Sequence, residues 1–129
     1  MTDLKVRFDN GIEVVIELRK DGSPTLDKLR MAVPFSASAN RWGDEIYFET
    51  PVSCAIESDA RAQMEVGEVA YWPDGRALAI FFGRTPVSTD ERPMAYSPCN
   101  IVGSIKGDPS TLRSVQTGAT ADLSEVGED

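Results

Sequence analysis

The amino-acid sequence predicts a mainly β chain folded as a barrel with one short helix, and three observations carry that prediction. Apolar and polar residues alternate with a period of two on both sides of Asp9-Asn10-Gly11, the pattern of a half-buried hairpin. A second pair of apolar runs is joined at Pro73-Asp74-Gly75. Helical spacing is confined to a short stretch after Ser23-Pro24.

Leu4, Val6 and Phe8 alternate with Lys5 and Arg7, and Ile12, Val14, Ile16 and Leu18 follow the turn residues. Ser23 then offers an N-cap and Pro24 a first-turn proline, after which Leu26, Leu29, Arg30 and Val33 recur at helical spacing until Pro34 stops the pattern. This helix is expected to plug one end of the barrel. Residues 35–40 read as a small, polar lead into one strand over 40–50, with Gly43 inviting a bulge. Val52 to Ile56 suggests a further short strand, and residues 57–62 a charged connector. Val69 to Trp72 and Ala77 to Phe82 form the next two strands, the second apolar enough to be buried on both faces. Residues 83–98 are rich in proline and charge and read as a long surface loop, the kind that often carries function. Ile101, Val102 and Ile105 mark a closing strand, and Asp108-Pro109-Ser110 a brief helical turn. Residues 1–115 are thus expected to form the barrel domain and residues 116–129, dominated by Gly, Ala, Thr and acids, a flexible acidic tail.

A length of 129 residues with 41% hydrophobic side chains suits one domain with a modest core. The formal charge of -8 argues against nucleic-acid binding, which requires clustered basic side chains to displace counterions from phosphates. The opening Met1-Thr2-Asp3 lacks the basic-then-apolar character of a signal peptide. No apolar run approaches the roughly 20 residues that span a bilayer. The expectation is a cytoplasmic protein without membrane or nucleic-acid partners, its oligomeric state left open. Cys54 and Cys99 are too far apart for a CxxC motif and are read as reduced thiols. The absence of histidine removes Ser-His-Asp triads, Cys-His pairs and His-ligated metals. Asp44 and Glu45 are strand neighbours facing opposite ways, so neither metal nor cofactor is expected.

Two segments concentrate chemistry. In Asn40-Arg41-Trp42-Gly43-Asp44-Glu45-Ile46-Tyr47-Phe48, the Arg41 guanidinium offers a planar fork of donors to a carbonyl or carboxylate, with Trp42, Glu45 and Tyr47 beside it. Its simpler fate is an ion pair with Asp44 or Glu45. Tyr71, Trp72, Phe81 and Phe82 supply aromatic walls. Phe81 and Phe82, being adjacent, should divide between core and site, and Trp72, next to a turn, should face the surface. Thr85 and Asn100 flank the long loop and form a candidate rim, where Asn100 brings both donor and acceptor. Cys99 has no neighbour that would activate it and is read as structural.

Asn40 to Glu45, Gly67 to Pro73, Ile80 to Pro86 and Asn100 to Gly103 together resemble the cyclophilin-like family, in an atypical bacterial and archaeal branch of uncharacterised function. The resemblance extends over about residues 3–107. It implies a closed, mostly antiparallel, eight-stranded cyclophilin-like β-barrel with a helix over one end, the fold of peptidyl-prolyl isomerases. Isomerase chemistry requires a donor near the prolyl nitrogen and an apolar slot, but no base, so Arg41 is the catalytic candidate. The Phe-His-Arg and Gln-Gly-Gly-Asp runs of true cyclophilins are absent. The leading expectation is therefore a barrel that binds a peptide segment or small ligand in an Arg and aromatic cleft. A weak peptidyl-prolyl isomerase and a protein-interaction module are the alternatives.

Overall fold

The computed structural model describes residues 3–126. β1 (Leu4–Phe8) and β2 (Glu13–Leu18) form the expected hairpin, with Leu4, Val6, Phe8, Val14, Ile16 and Leu18 buried on one face. α1 (Pro24–Ala32) begins at the expected cap, where the Ser23 hydroxyl accepts the Leu26 N–H at 3.2 Å. That bond satisfies one of the amides a first helical turn leaves without a partner. Leu26 and Leu29 anchor the helix on the main core.

The chain continues through β3 (Phe35–Arg41), β4 (Glu45–Glu49), β5 (Arg61–Gln63), β6 (Glu68–Trp72), β7 (Ala77–Phe81) and β8 (Met94–Lys106). A 3-10 helix (Pro109–Ser114) and β9 (Thr120–Glu125) complete it. Pairing runs β2-β1-β9-β3-β4-β7-β6-β8, and β8 pairs back onto β2, so eight antiparallel strands hydrogen-bond in a ring. β5 joins the first half of β8. Among the described residues no helix is long and apolar enough to cross a membrane.

Alternation along β6 and β7 divides their side chains between two cores. Val69, Tyr71, Leu78 and Ile80 enter the main core with the hairpin and α1. Ala70, Ala79 and Phe81 point the other way, into a smaller cluster with Met64, Ala95 and Cys99. β7 is consequently buried at all five positions, as its unbroken apolar run predicts.

The structure corrects several expectations. Residues 35–40 are a strand, not a lead-in, because Phe35, Ala37 and Ala39 pack against or into the main core while serines alternate outward. The single strand expected over 40–50 is two strands, reversed at a two-residue loop where Trp42 and Glu45 exchange backbone hydrogen bonds of 2.9 and 3.2 Å. Gly43 heads that loop at φ +62°, and a Cβ there would meet the Arg84 carbonyl oxygen at 2.9 Å. Glycine thus marks a hairpin reversal of the II′ kind and not a bulge. Val52 to Ile56 is irregular, and the short strand is Arg61–Gln63, which overlaps the end of the expected connector. β8 begins at Met94, which shortens the long loop.

The largest correction concerns residues 116–129. Thr120–Glu125 is β9, paired with β1 on one side and β3 on the other, with Ala121 and Leu123 fully buried. Two inward side chains and two ladders of backbone hydrogen bonds hold a segment that composition alone makes look soluble. Residues 127–129 of the expected tail lie outside the described residues, as do Met1 and Thr2.

Candidate functional site

Opposite the main core, β4, β6 and β8 frame a cavity of ≈ 260 Å³ lined by Trp42, Glu45, Tyr47, Trp72, Ala95, Tyr96 and Cys99. Register explains the assembly. Trp42 and Glu45 are the last cross-strand pair before the Gly43 loop, so their side chains share a face, and Tyr47 joins them two residues on. β7 lies between β4 and β6, with Ala79 opposite both Tyr47 and Ala70, and Ala77 opposite Trp72. Alanines between large aromatics leave depth on that face.

Tyr96 arrives by a different route. Arg61 pairs with Cys99 and Gln63 with Met94, so three residues of β5 oppose six of β8, and the excess bulges outward as Ala95 to Pro98. The bulge carries Tyr96 between the two indoles. Its ring centroid lies 6.3 Å from Trp42 at 72° and 6.2 Å from Trp72 at 75°, edge-on to both, a favoured aromatic arrangement. Ser97, next in the bulge, accepts the Trp72 Nε1–H at 2.7 Å and fixes that indole.

Glu45 is the unusual member. It is 8% exposed, and its Oε1 is buried without a hydrogen-bond partner among the described residues. Burial pushes its carboxyl up to about 7, because the anion loses water and receives no compensating donor. Burial likewise pushes the Cys99 thiol up to about 12, with the Glu45 charge adding to it. The thiol donates to the Ser97 carbonyl at 3.3 Å, so it is a neutral wall and not a nucleophile. Among the described residues no lysine or arginine lines the cavity.

The candidate residues divide sharply. Trp42, Glu45, Tyr47 and Trp72 converge on the cavity. Arg41 does not line it. Its Nε donates to the Gly43 carbonyl at 3.0 Å, its Nη1 to the Val115 and Arg113 carbonyls at 2.7 and 3.2 Å, and its Nη2 stands 3.4 Å from Asp44. The guanidinium also covers the Phe82 ring at 5.0 Å. These contacts cap the carbonyl end of the 3-10 helix, a position that favours a cation. Tyr71 is fully buried in the main core, its hydroxyl donating to the Val52 carbonyl at 2.6 Å. Phe82 sits in the main core and Phe81 in the smaller cluster behind the cavity. Thr85 donates to the Met94 carbonyl and ties the loop to β8. Asn100 is fully buried and faces away, bonded to Thr25, Ala55 and Glu57. Ala95, Tyr96 and Cys99 line the cavity without having been candidates.

A wider depression of ≈ 650 Å³ runs along Phe35 to Ser38 and Glu49 to Pro51. Glu49 and Arg76 face one another there at 4.0 Å, so its charges already have partners. Of the two, the aromatic cavity is the one whose lining includes a buried polar atom without a partner among the described residues.

A ring of antiparallel strands with a helix packed on its core, bearing a compact aromatic hollow on its other face, is the class these features define. The chain belongs to the cyclophilin-like family, whose model matches residues 2–124. Its fold is similar to the solution structure of the hypothetical protein AF2241 from Archaeoglobus fulgidus. The two are 36% identical, with 97% of this chain and 95% of that chain covered and a TM-score of 0.80. No curated protein matches the chain.

Proposed function

We propose that this protein is a cytoplasmic ligand-binding barrel, closed by the β2–β8 pairing, that takes a small molecule into the hollow between Trp42, Tyr47, Trp72 and Tyr96. One observation carries the reading: a preformed concavity lined by four aromatics with a single inward carboxyl, the composition of small-molecule sites. Its ≈ 260 Å³ falls below the roughly 300–1,000 Å³ of sites for drug-sized ligands. The occupant is therefore compact, and a peptide segment enters only by a side chain.

The isomerase alternative loses support at Arg41. A donor aimed at a prolyl nitrogen must be free when substrate arrives, whereas this guanidinium is committed to three backbone carbonyls and Asp44. Arg41→Ala is expected to lower stability by about 1–3 kcal/mol through the lost charged hydrogen bonds. A protease-coupled assay on Xaa-Pro peptides is expected to give the uncatalysed rate for both wild type and variant. A catalysed rate that the substitution abolishes would restore the isomerase reading.

Both tryptophans of the chain line the hollow, so their indole N–H signals report occupancy directly. A screen of compact fragments by two-dimensional NMR is expected to return binders that shift both indole resonances together. Fragments that bind only elsewhere, or none that bind, would overturn the proposal.

A further inference from the structure

Resting on the ligand-binding reading above, we infer that the occupant is a compact protonated amine, held by its positive charge against the ring faces and by an N–H to Glu45. Three features of the hollow point to this class. The first is shape: Trp42 and Trp72 each stand steeply to Tyr96, at 72° and 75°. With Tyr47 these rings make four aromatic walls around one hollow, and aromatic ring faces carry the negative end of the quadrupole. Cages of this kind attract ammonium groups, most strongly when desolvated.

The second feature is the unmet acceptor. Glu45 is more than nine-tenths buried, lines the hollow, and has an oxygen with no donor. An unpartnered buried polar atom destabilises the fold, and a guest N–H supplies the missing partner. Quaternary ammonium ions have no such hydrogen, which favours amines that keep at least one.

The third feature is charge. Nothing cationic lines the hollow among the described residues. The nearby basic side chains are engaged: Arg41 and Arg113 both approach Asp44 at 3.4 Å. With a neutral or anionic guest Glu45 keeps its proton, while a cation pairs with the carboxylate and lets it ionise. The titratable groups facing Glu45 across the hollow are the Tyr47 and Tyr96 phenols and the Cys99 thiol, none of which supplies positive charge.

Binding should then be coupled to ionisation. With no guest, Glu45 holds its proton up to about pH 7. A bound ammonium favours the carboxylate, so affinity for the amine rises as pH rises through that value, and a proton is released on binding.

The test uses the intact chain, its tryptophan fluorescence, and two probes of one shape. Tert-butylammonium and tert-butanol differ in charge and hardly in size. At about pH 8 the cation is expected to bind at least tenfold more tightly than the alcohol, equivalent to about 1.4 kcal/mol. The gap is expected to narrow in Glu45→Gln and in wild type at about pH 5.5, where Glu45 is protonated. Tyr96→Ala removes an exposed wall whose loss leaves the cores intact, and is expected to weaken the cation severalfold while affecting the alcohol little. N-acetyl-dimethyllysine amide presents the ammonium on a side chain. If it outbinds tert-butylammonium, the amine arrives on a protein; if not, it arrives free, and either result supports the inference. Equal binding of alcohol and cation overturns it while leaving a neutral ligand-binding hollow. Binding of neither also overturns it, and the fragment screen then decides separately whether the hollow takes a ligand at all.

Discussion

Glu45→Gln is expected to stabilise the ligand-free protein by about 3 kcal/mol at pH 8 and to have almost no effect near pH 4, an unusual outcome for substitution of a buried residue. The reason lies in where the proton sits. In the folded chain burial holds the Glu45 carboxyl up to about 7, against an ordinary value of 4.5. Between those values the folded state binds a proton that the unfolded state has released, so stability falls as pH rises across the window. Below about 4.5 both states are protonated and the contribution is intact. Above about 7 it is fully lost, at about 1.4 kcal/mol per unit of separation. Glutamine has nearly the same shape and no proton to lose, so its curve lacks this slope. Urea midpoints of the two proteins across pH 4–8 check the claim, since Asp and Glu residues elsewhere titrate alike in both. Curves that run parallel would show that Glu45 ionises freely and that the hollow is wetter than its geometry indicates. A group that weakens the fold at neutral pH and can be replaced without loss of shape is what a binding site retains for its ligand.

Asn100→Ala is expected to cost roughly 3 kcal/mol, because each polar atom of this buried side chain is in use. Its Nδ2 donates to Thr25 Oγ1 and to the Ala55 carbonyl, both at 3.0 Å, while its Oδ1 accepts the Glu57 N–H at 2.8 Å. Glu57 in turn accepts from the Thr25 hydroxyl. One amide therefore clasps the start of α1 and the irregular segment after Pro51 to β8. Alanine leaves these partners dry and unpaired and adds a cavity. Asn100→Asp is expected to be worse, since it replaces two donated bonds by a charge facing the Ala55 carbonyl and a Thr25 hydroxyl whose proton already goes to Glu57. Amine affinity measured on the folded Asn100→Ala protein should stay within about twofold of wild type, because sites without shared partners act independently. A loss below about 1 kcal/mol, or a collapse of binding with the fold intact, would return Asn100 to the ligand site.

Much of the fold is legible in the chain because its signals are strong. Alternation around Asp9-Asn10-Gly11, the Ser23-Pro24 cap and the apolar run after Gly75 each match the element found. What fails is strand built from small residues. Phe35–Arg41 alternates Phe, Ala and Ala with serines, and Thr120–Glu125 contributes only Ala121 and Leu123 to the core. Neither segment could be hydrophobic enough to announce itself alone. Partners on both sides decide the matter, and those lie far away in sequence.

The site was half legible for a related reason. The informative residues come as adjacent pairs, and neighbours on a strand face opposite ways. Trp72 reaches the hollow and Tyr71 the main core; Cys99 reaches the hollow and Asn100 the clasp; Phe81 backs the hollow and Phe82 lies under Arg41. Composition selects the pair, but register selects the member. Tyr96 escaped because it rides on a bulge whose Pro98 reads as loop, and a bulge is defined by the partner strand it outruns.

The seating of β9 between β1 and β3 bears on how the molecule is made. During synthesis on the ribosome the first hairpin and the β3–β4 hairpin emerge early, yet the gap between β1 and β3 stays open until Thr120–Glu125 leaves the exit tunnel. Until then each nascent hairpin presents a raw edge of unpaired amides and carbonyls, which invites pairing with neighbouring chains. Stalling or premature termination after about residue 115 should yield aggregates, not a smaller soluble domain. Closure of the strand ring thus waits for β9.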